Sequence, residues 1–139
     1  SRVSEAELTA SDRELLQEAL KWYGFYQGGL DGAFGPGTRA EVPITAEISG
    51  RRLLGTIDRL IITPTTITAI DFKSNVVIPQ HAAQIPEGLL RQIGAYADAL
   101  RQIFPDHRIE TAILWTRTVQ LMPLDADIVR AALARAAIA

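Results

Sequence analysis

Apolar and polar positions change period several times along the chain, and each change marks an element. Leu15, Leu16, Ala19, Leu20 and Tyr23 recur at helical spacing and predict an N-terminal helix. Thr9 or Ser11 can cap it, and Ser11 with Glu14 has the spacing of a capping box. Gly24 or the Gly28-Gly29 pair ends it. The run GLDGAFGPGTRA, Gly29 to Ala40, is turn chemistry, because Asp31-Gly32 and Gly35-Pro36-Gly37 supply or fix unusual φ values. From Glu41 the pattern becomes extended. Val42 to Ile48 alternates loosely, Ser49 to Arg52 reads as a turn, and Leu53 to Ile62 reads as a second strand. Ile67 to Lys73 is a third, separated from the second by Thr63-Pro64-Thr65-Thr66.

Pro79 and Pro86 then bound a loop. The clearest helix follows, from about Glu87 to Phe104, with Leu89, Ile93, Leu100 and Phe104 as its core stripe and Leu90, Ala97 and Ile103 beside it. Pro105-Asp106 stops it, and Ile109 to Trp115 makes a fourth strand. A helical crossover leads into that strand, which allows it to run parallel to the third. Val119 to Leu124 reads as a fifth strand, and Asp125 caps an alanine-rich last helix. The order α-βββ-α-ββ-α describes an α+β domain, a mixed β-sheet flanked by helices. The chain divides into an N-terminal helix and Gly-rich turn (1–40), a sheet-and-helix core (41–124) and a C-terminal helix (125–139), within one compact domain by length.

The second and third strands place chemistry. Paired symmetrically about their turn, positions 58 and 71 face each other, as do 60 and 69, and 62 and 67. Asp58 therefore lies opposite Asp71, and Lys73, two residues on, shares the face of Asp71. Like charges directly opposed destabilise a hairpin, so a bound divalent cation is the natural offset. Asp71 and Lys73 by themselves also fit an ordinary strand ion pair.

Composition narrows the setting. A 47% hydrophobic and 22% charged content fits a globular chain. The net charge of −2 gives no global attraction to nucleic acid, so such contact needs a local basic patch. The absence of cysteine removes disulfides and thiolate metal sites. No apolar run approaches the roughly 18–20 residues of a membrane span, and no signal-peptide pattern opens the chain, which points to a cytoplasmic protein without membrane contact. The start at Ser1, without an initiator Met, suggests a fragment of something longer.

Gly55-Thr56-Ile57-Asp58, then Asp71-Phe72-Lys73, then Gln92-Ile93-Gly94-Ala95-Tyr96 resemble the G-x-x-D, D-x-K and Q-x-x-x-Y motifs of RecB-type nucleases in the PD-(D/E)XK superfamily. Phe34-Gly35-Pro36-Gly37, Ala40 to Pro43, Leu114-Trp115-Thr116 and Leu121-Met122 extend the likeness, which is greatest to the C-terminal nuclease domains of the AddA helicase/nuclease subunits. The resemblance implies a restriction-endonuclease-like core and a Mg²⁺-dependent deoxyribonuclease, an exonuclease of double-strand-break repair. Its partners would be DNA, a helicase region of the same full-length chain, and a second nuclease/helicase subunit. It assigns Asp58, Asp71 and the Phe72 carbonyl to Mg²⁺ (or Mn²⁺ as substitute), and Lys73 to the attacking water and the phosphate charge. Gln92 and Tyr96, on one helix face, would reach toward the metal or a phosphate. Arg59 and Arg91 could contact the DNA backbone, Arg59 less so because it alternates to the other face. Taken without the resemblance, Gln92 reads as a surface amide, Tyr96 as a core tyrosine, Glu41 as an exposed strand-start acid rather than an accessory one, and His81 and His107 as solvated. The histidine these nucleases carry upstream of G-x-x-D has no counterpart, since none precedes His81.

Leu16 to Ala40 also resembles a peptidoglycan-binding repeat, through Gly24-Phe25-Tyr26 and Asp31-Gly32-Ala33-Phe34-Gly35-Pro36-Gly37-Thr38-Arg39-Ala40. In that repeat a further helix follows, whereas Glu41-Val42-Pro43-Ile44 is extended here. The simpler reading is a helix and a turn leading into the first strand. Two rival functions stand beside the nuclease: a peptidoglycan-binding module built on Trp22 to Arg39, and a nuclease fold kept for structure without activity.

Overall fold

The computed structural model describes residues 9–10, 38–48, 50–75 and 77–138. The first helix and most of the Gly-rich run expected from the sequence lie outside these residues. Five strands, β1 (Thr38–Ile48), β2 (Arg51–Ile62), β3 (Thr66–Lys73), β4 (Arg108–Trp115) and β5 (Gln120–Leu124), form one sheet in the order β1-β2-β3-β4-β5. Helix α1 (Glu87–Ile103) connects β3 to β4, and α2 (Ala126–Ile138) ends the described chain. All neighbouring strands are antiparallel except β3 and β4, which the α1 crossover makes parallel.

Several boundaries differ from the sequence pattern. Thr38, Arg39 and Ala40 belong to β1 rather than to the Gly-rich turn, because they pair with Ile61, Leu60 and Arg59. The β1–β2 turn shrinks to two residues, since Ile48 already pairs with Arg51, and Gly50 carries the left-handed φ of +76° that such a turn needs. Val119 is not a strand residue; it holds a φ of +51° in the β4–β5 turn, a strained position for a β-branched side chain. Ile103, expected beside the core, is half-exposed at the end of α1. His107 is not simply solvated, because it packs edge-on against Phe104 at 5.7 Å between ring centroids.

The β2–β3 turn is fixed locally. Thr63 Oγ1 accepts the amides of Thr65 and Thr66 at 3.3 and 2.9 Å, while Thr63 N donates to Thr66 O at 2.9 Å. That turn sets the register 59–70, 60–69, 61–68 and 62–67 expected from symmetry. A one-residue slip would turn every side chain to the wrong face.

Both faces of the sheet are buried. Leu60, Ile67, Ala69 and Ile109 join Tyr96, Ala97 and Leu100 of α1, while Ile113 and Trp115 join Ile93 of α1 and Val129 of α2. Ile61, Ile70, Phe72, Ala112 and Leu114 form a separate cluster on the opposite face. Each of these large apolar side chains contributes about 1.5–3 kcal/mol through removal from water.

The β1–β2 ribbon changes face part-way. Ile57 and Leu60 pack in the same cluster although an alternating strand would oppose them. The change falls where the ladder is interrupted: Ala40 pairs with Arg59 and Val42 with Ile57, but Glu41, at a φ of +49°, and Asp58 form no pair. Beyond the interruption Val42, Ile44, Ala46, Leu53 and Ile57 turn to α1. The ribbon thus bends over the helix, and Gln102 Nε2 donates to Glu47 O near its tip at 3.3 Å.

Helix α2 docks on α1 through a glycine. A Cβ at Gly94 would stand 2.6 Å from Val129 O, so the backbones meet there without an intervening side chain. Arg135 and Glu87 join the far ends of the pair, with Nε–Oε2 at 2.9 Å. Asp125 caps α2 as expected, its Oδ1 accepting Asp127 N at 2.7 Å.

Candidate active site

The interruption opposite Glu41 frees the next step of β2. Past the Arg59–Ile70 pair, the amide of Phe72 bonds not to the β2 backbone but to the side chain of Asp58, donating to Oδ2 at 2.8 Å. This contact holds the Asp58 carboxylate against β3, beside Asp71. Both residues are buried, at 3% and 7% exposure. Lys73 Nζ lies 3.2 Å from Asp71 Oδ2. That is ion-pair distance, yet the geometry is out of line for a hydrogen bond, and Oδ2 accepts none.

Burial pushes the Asp71 carboxyl from 3.8 up to about 6; Lys73 opposes the rise and the neighbouring Asp58 adds to it. Two carboxylates and one ammonium meet at the site. Asp71 Oδ2 is a buried carboxylate oxygen that meets the Lys73 ammonium without a well-aligned donor, a place a divalent cation could take over. The oxygen set, two carboxylates with the Phe72 carbonyl in the same strand, suits a hard divalent ion such as Mg²⁺. Among the described residues no third His, Asp or Glu completes a cluster that could hold a metal.

The helix supplies a wall. Tyr96 and Asp71 line one small pocket together with Ile57, Ala69, Ile70 and Ile93. Tyr96 reaches it because Gly55 leaves room: a Cβ at 55 would meet Tyr96 Oη at 2.5 Å and Cε1 at 2.7 Å. Gln92, one turn earlier and exposed, donates through Nε2 to Tyr96 Oη at 3.0 Å. Gln92 is therefore spent on the tyrosine, and the tyrosine is the member that meets the carboxylate pocket.

Other candidates fall away from this centre. Arg59 is buried on the opposite face, its Nη1 donating to Thr38 Oγ1 at 2.9 Å, so it is not a surface contact for DNA. Arg91 and His81 are exposed on α1 and in the preceding loop. Glu41 lies across β1 from Asp58 but is exposed.

Three features were not assigned from sequence. The left-handed Glu41 leaves no pattern, because glutamate carries no turn preference. Gly55, within a run of Leu, Thr and Ile, does leave one, since a strand-interior glycine marks a close approach. The third is a clasp after β4: Thr116 N and Oγ1 donate to Lys73 O at 2.8 and 3.1 Å, and Arg117 Nε donates to Ser74 O at 2.9 Å.

Comparison with known proteins separates the two parts of the chain. The sheet and helices are similar to the crystal structure of a "Putative exonuclease" from Eubacterium rectale, with a TM-score of 0.53 at 15% identity over 72% of this chain and 41% of that one. The two share an α+β fold with a mixed sheet. A looser similarity, at a TM-score of 0.41 and 19% identity, joins 90% of the chain to 55% of the solved protein SSO0001. The chain thus spans well under two thirds of either protein. Residues 9–42 match the family PG_binding_1, described as "Putative peptidoglycan binding domain". No curated protein matches the sequence. The α+β fold shared with the first of these structures holds the carboxylate hairpin, whereas the segment matched by the family runs only as far as the first residues of β1. No helix among the described residues is long and apolar enough to cross a membrane.

Proposed function

We propose that this domain hydrolyses DNA phosphodiester bonds with a divalent cation held by Asp58, Asp71 and the Phe72 carbonyl. The observation that carries the reading is the buried Asp58–Asp71 pair, with Asp71 Oδ2 at ion-pair distance, 3.2 Å, from the Lys73 ammonium. When bound, Mg²⁺ polarises a phosphate and lowers the pKa of a coordinated water. The chain's own groups do the rest. The Phe72 amide orients Asp58, and Asp58 and Asp71 would hold the cation through their carboxylates. The Lys73 ammonium, beside Asp71, would offset charge on the phosphate. Tyr96 closes the helix side of the site, held by Gln92. The motif order favours a RecB/AddA-type exonuclease domain working with a helicase region of its full-length chain and a partner subunit.

Calorimetric titration of Mn²⁺ and Mg²⁺ into the chain and into Asp71→Ala tests this, with a linear-duplex degradation assay alongside. Binding lost in the variant together with metal-dependent degradation supports the reading. Binding without degradation supports a nuclease fold kept without activity. No binding to either protein sinks the metal site.

A second function is favoured by the family match over residues 9–42: the N-terminal segment binds peptidoglycan. Co-sedimentation with purified peptidoglycan, lost when residues 9–37 are deleted, would support it. An unchanged supernatant fraction would end it.

A further inference from the structure

A cleft of about 440 Å³ opens at the sheet end that carries Lys73, between the loop at Ile78, Pro79 and Gln80 and strand β5. Its volume lies within the roughly 300–1,000 Å³ of small-ligand sites. Pro79, Met122 and Pro123 give it apolar walls, while Gln80 and Gln120 bring amides to it. Trp115 lines it from within the core, 1% exposed, and its Nε1 has no acceptor. A buried indole N–H is almost always paired, so an orphan beside an open cleft marks an unmet demand for an acceptor.

The position of the cleft says what fills it. In the β3–β4 register Lys73 lies beside Trp115 and Asp71 beside Ile113, about 4.8 Å apart across neighbouring strands. The clasp from Thr116 and Arg117 ties the β4–β5 turn to Lys73 and Ser74. Arg117 is exposed, and its Nε contact to Ser74 O holds its guanidinium one residue along the chain from Lys73.

We propose that this cleft is a nucleotide subsite, taking the unpaired base next to the phosphate held at Lys73, with Arg117 on that nucleotide's own phosphate. The inference rests on the phosphodiesterase reading above. Apolar walls suit the faces of a base; Gln120 Oε1 accepts Thr118 Oγ1 at 2.8 Å, which leaves its Nε2 to donate to the base edge, while the Gln80 amide can both donate and accept. A base inside a duplex offers neither its faces nor its pairing edge, so the cleft selects a single strand. With a net charge of −2, the chain has no global field to do this work, and a placed cation must.

The test uses a tetranucleotide of thymidine and a blunt hairpin duplex, both in EDTA so that neither is cleaved. Trp22→Phe leaves Trp115 as the one tryptophan. Its emission shifts on adding the tetranucleotide and stays unchanged with the duplex. Gln120→Ala weakens tetranucleotide binding roughly five- to tenfold. Arg117→Ala weakens it and lowers the salt slope by about one. Should Trp22→Phe misfold, polarisation of a labelled tetranucleotide on the parent chain reads the same affinities. Equal affinity for both DNAs, or indifference to Gln120→Ala, overturns the subsite even if cleavage requires Asp71. Single-strand binding weakened as expected in Gln120→Ala, without any metal-dependent cleavage, upholds the subsite and overturns the nuclease reading.

Discussion

The ring of Tyr96 packs against Gly55, with Oη 2.5 Å from where a β-carbon would stand. Two motifs far apart in sequence are thus one contact in space. Gly55→Ala is overpacked against a buried ring and should cost about 1–3 kcal/mol. Tyr96→Phe removes the nearest clashing atom, so the double variant should recover part of that loss in urea denaturation. Simple additivity of the two changes would refute the contact.

Asp71 makes the metal-free chain less stable as pH rises. Its carboxyl titrates near 6 in the fold against 3.8 as a free group, so between those values the folded chain holds a proton that the unfolded chain has released. Its stabilising contribution is greatest below about pH 4 and is lost above about pH 6. Asp71→Asn should therefore gain roughly 1–3 kcal/mol over the parent at pH 8 and almost nothing at pH 4. Urea melts in EDTA at the two pH values measure the difference, and a pH-independent gain would contradict it.

Lys73 has a separable role. Its ammonium opposes the upward shift of Asp71, so Lys73→Met should raise that carboxyl further, visible by carbon NMR of the side chain. In the proposed reaction the same variant should cut turnover by about 10²–10³ while divalent binding changes far less. Loss of both in parallel would make Lys73 merely a support for the carboxylates.

Two glycines of α1 should behave oppositely. Gly88 has open space around it, and Gly88→Ala should stabilise by up to about 1 kcal/mol through helix propensity. At Gly94 the new methyl meets Val129 O, a backbone atom that yields only if α2 moves. Gly94→Ala should destabilise by roughly 1–3 kcal/mol despite the same propensity gain. Thermal melts of the two variants should shift in opposite directions.

Much of this fold was legible because the signals were local. Thr63-Pro64-Thr65-Thr66 fixed one register, and with it the approach of Asp58 to Asp71. The apolar stripe of α1 and the crossover length gave the parallel β4. The face change at Glu41 was not legible, because it depends on the bend of the ribbon over α1 and not on any residue's preference. Arg59 was expected on the far face, and it lies there, but its burial against Thr38 needed the pairing of Thr38 in β1. The lining of the Lys73 cleft comes from three separate segments, and no spacing rule connects them.

The bent ribbon also divides the molecule by lifetime. Past the interruption, α1 backs the ribbon among the described residues, and Pro43, Thr45, Glu47, Arg52 and Leu54 are exposed on the other side. Strands β3 and β4 are flanked by neighbours and covered on both faces. Hydrogen exchange should therefore find the ribbon amides opening well before those of Ile70, Phe72, Ile113 and Leu114. When the ribbon lifts, Gly55 leaves Tyr96 and the wall of the site goes with it. Asp58 stays pinned by the amide of Phe72. The carboxylate pair would then outlast the pocket around it, a durable charge centre beneath a side that breathes.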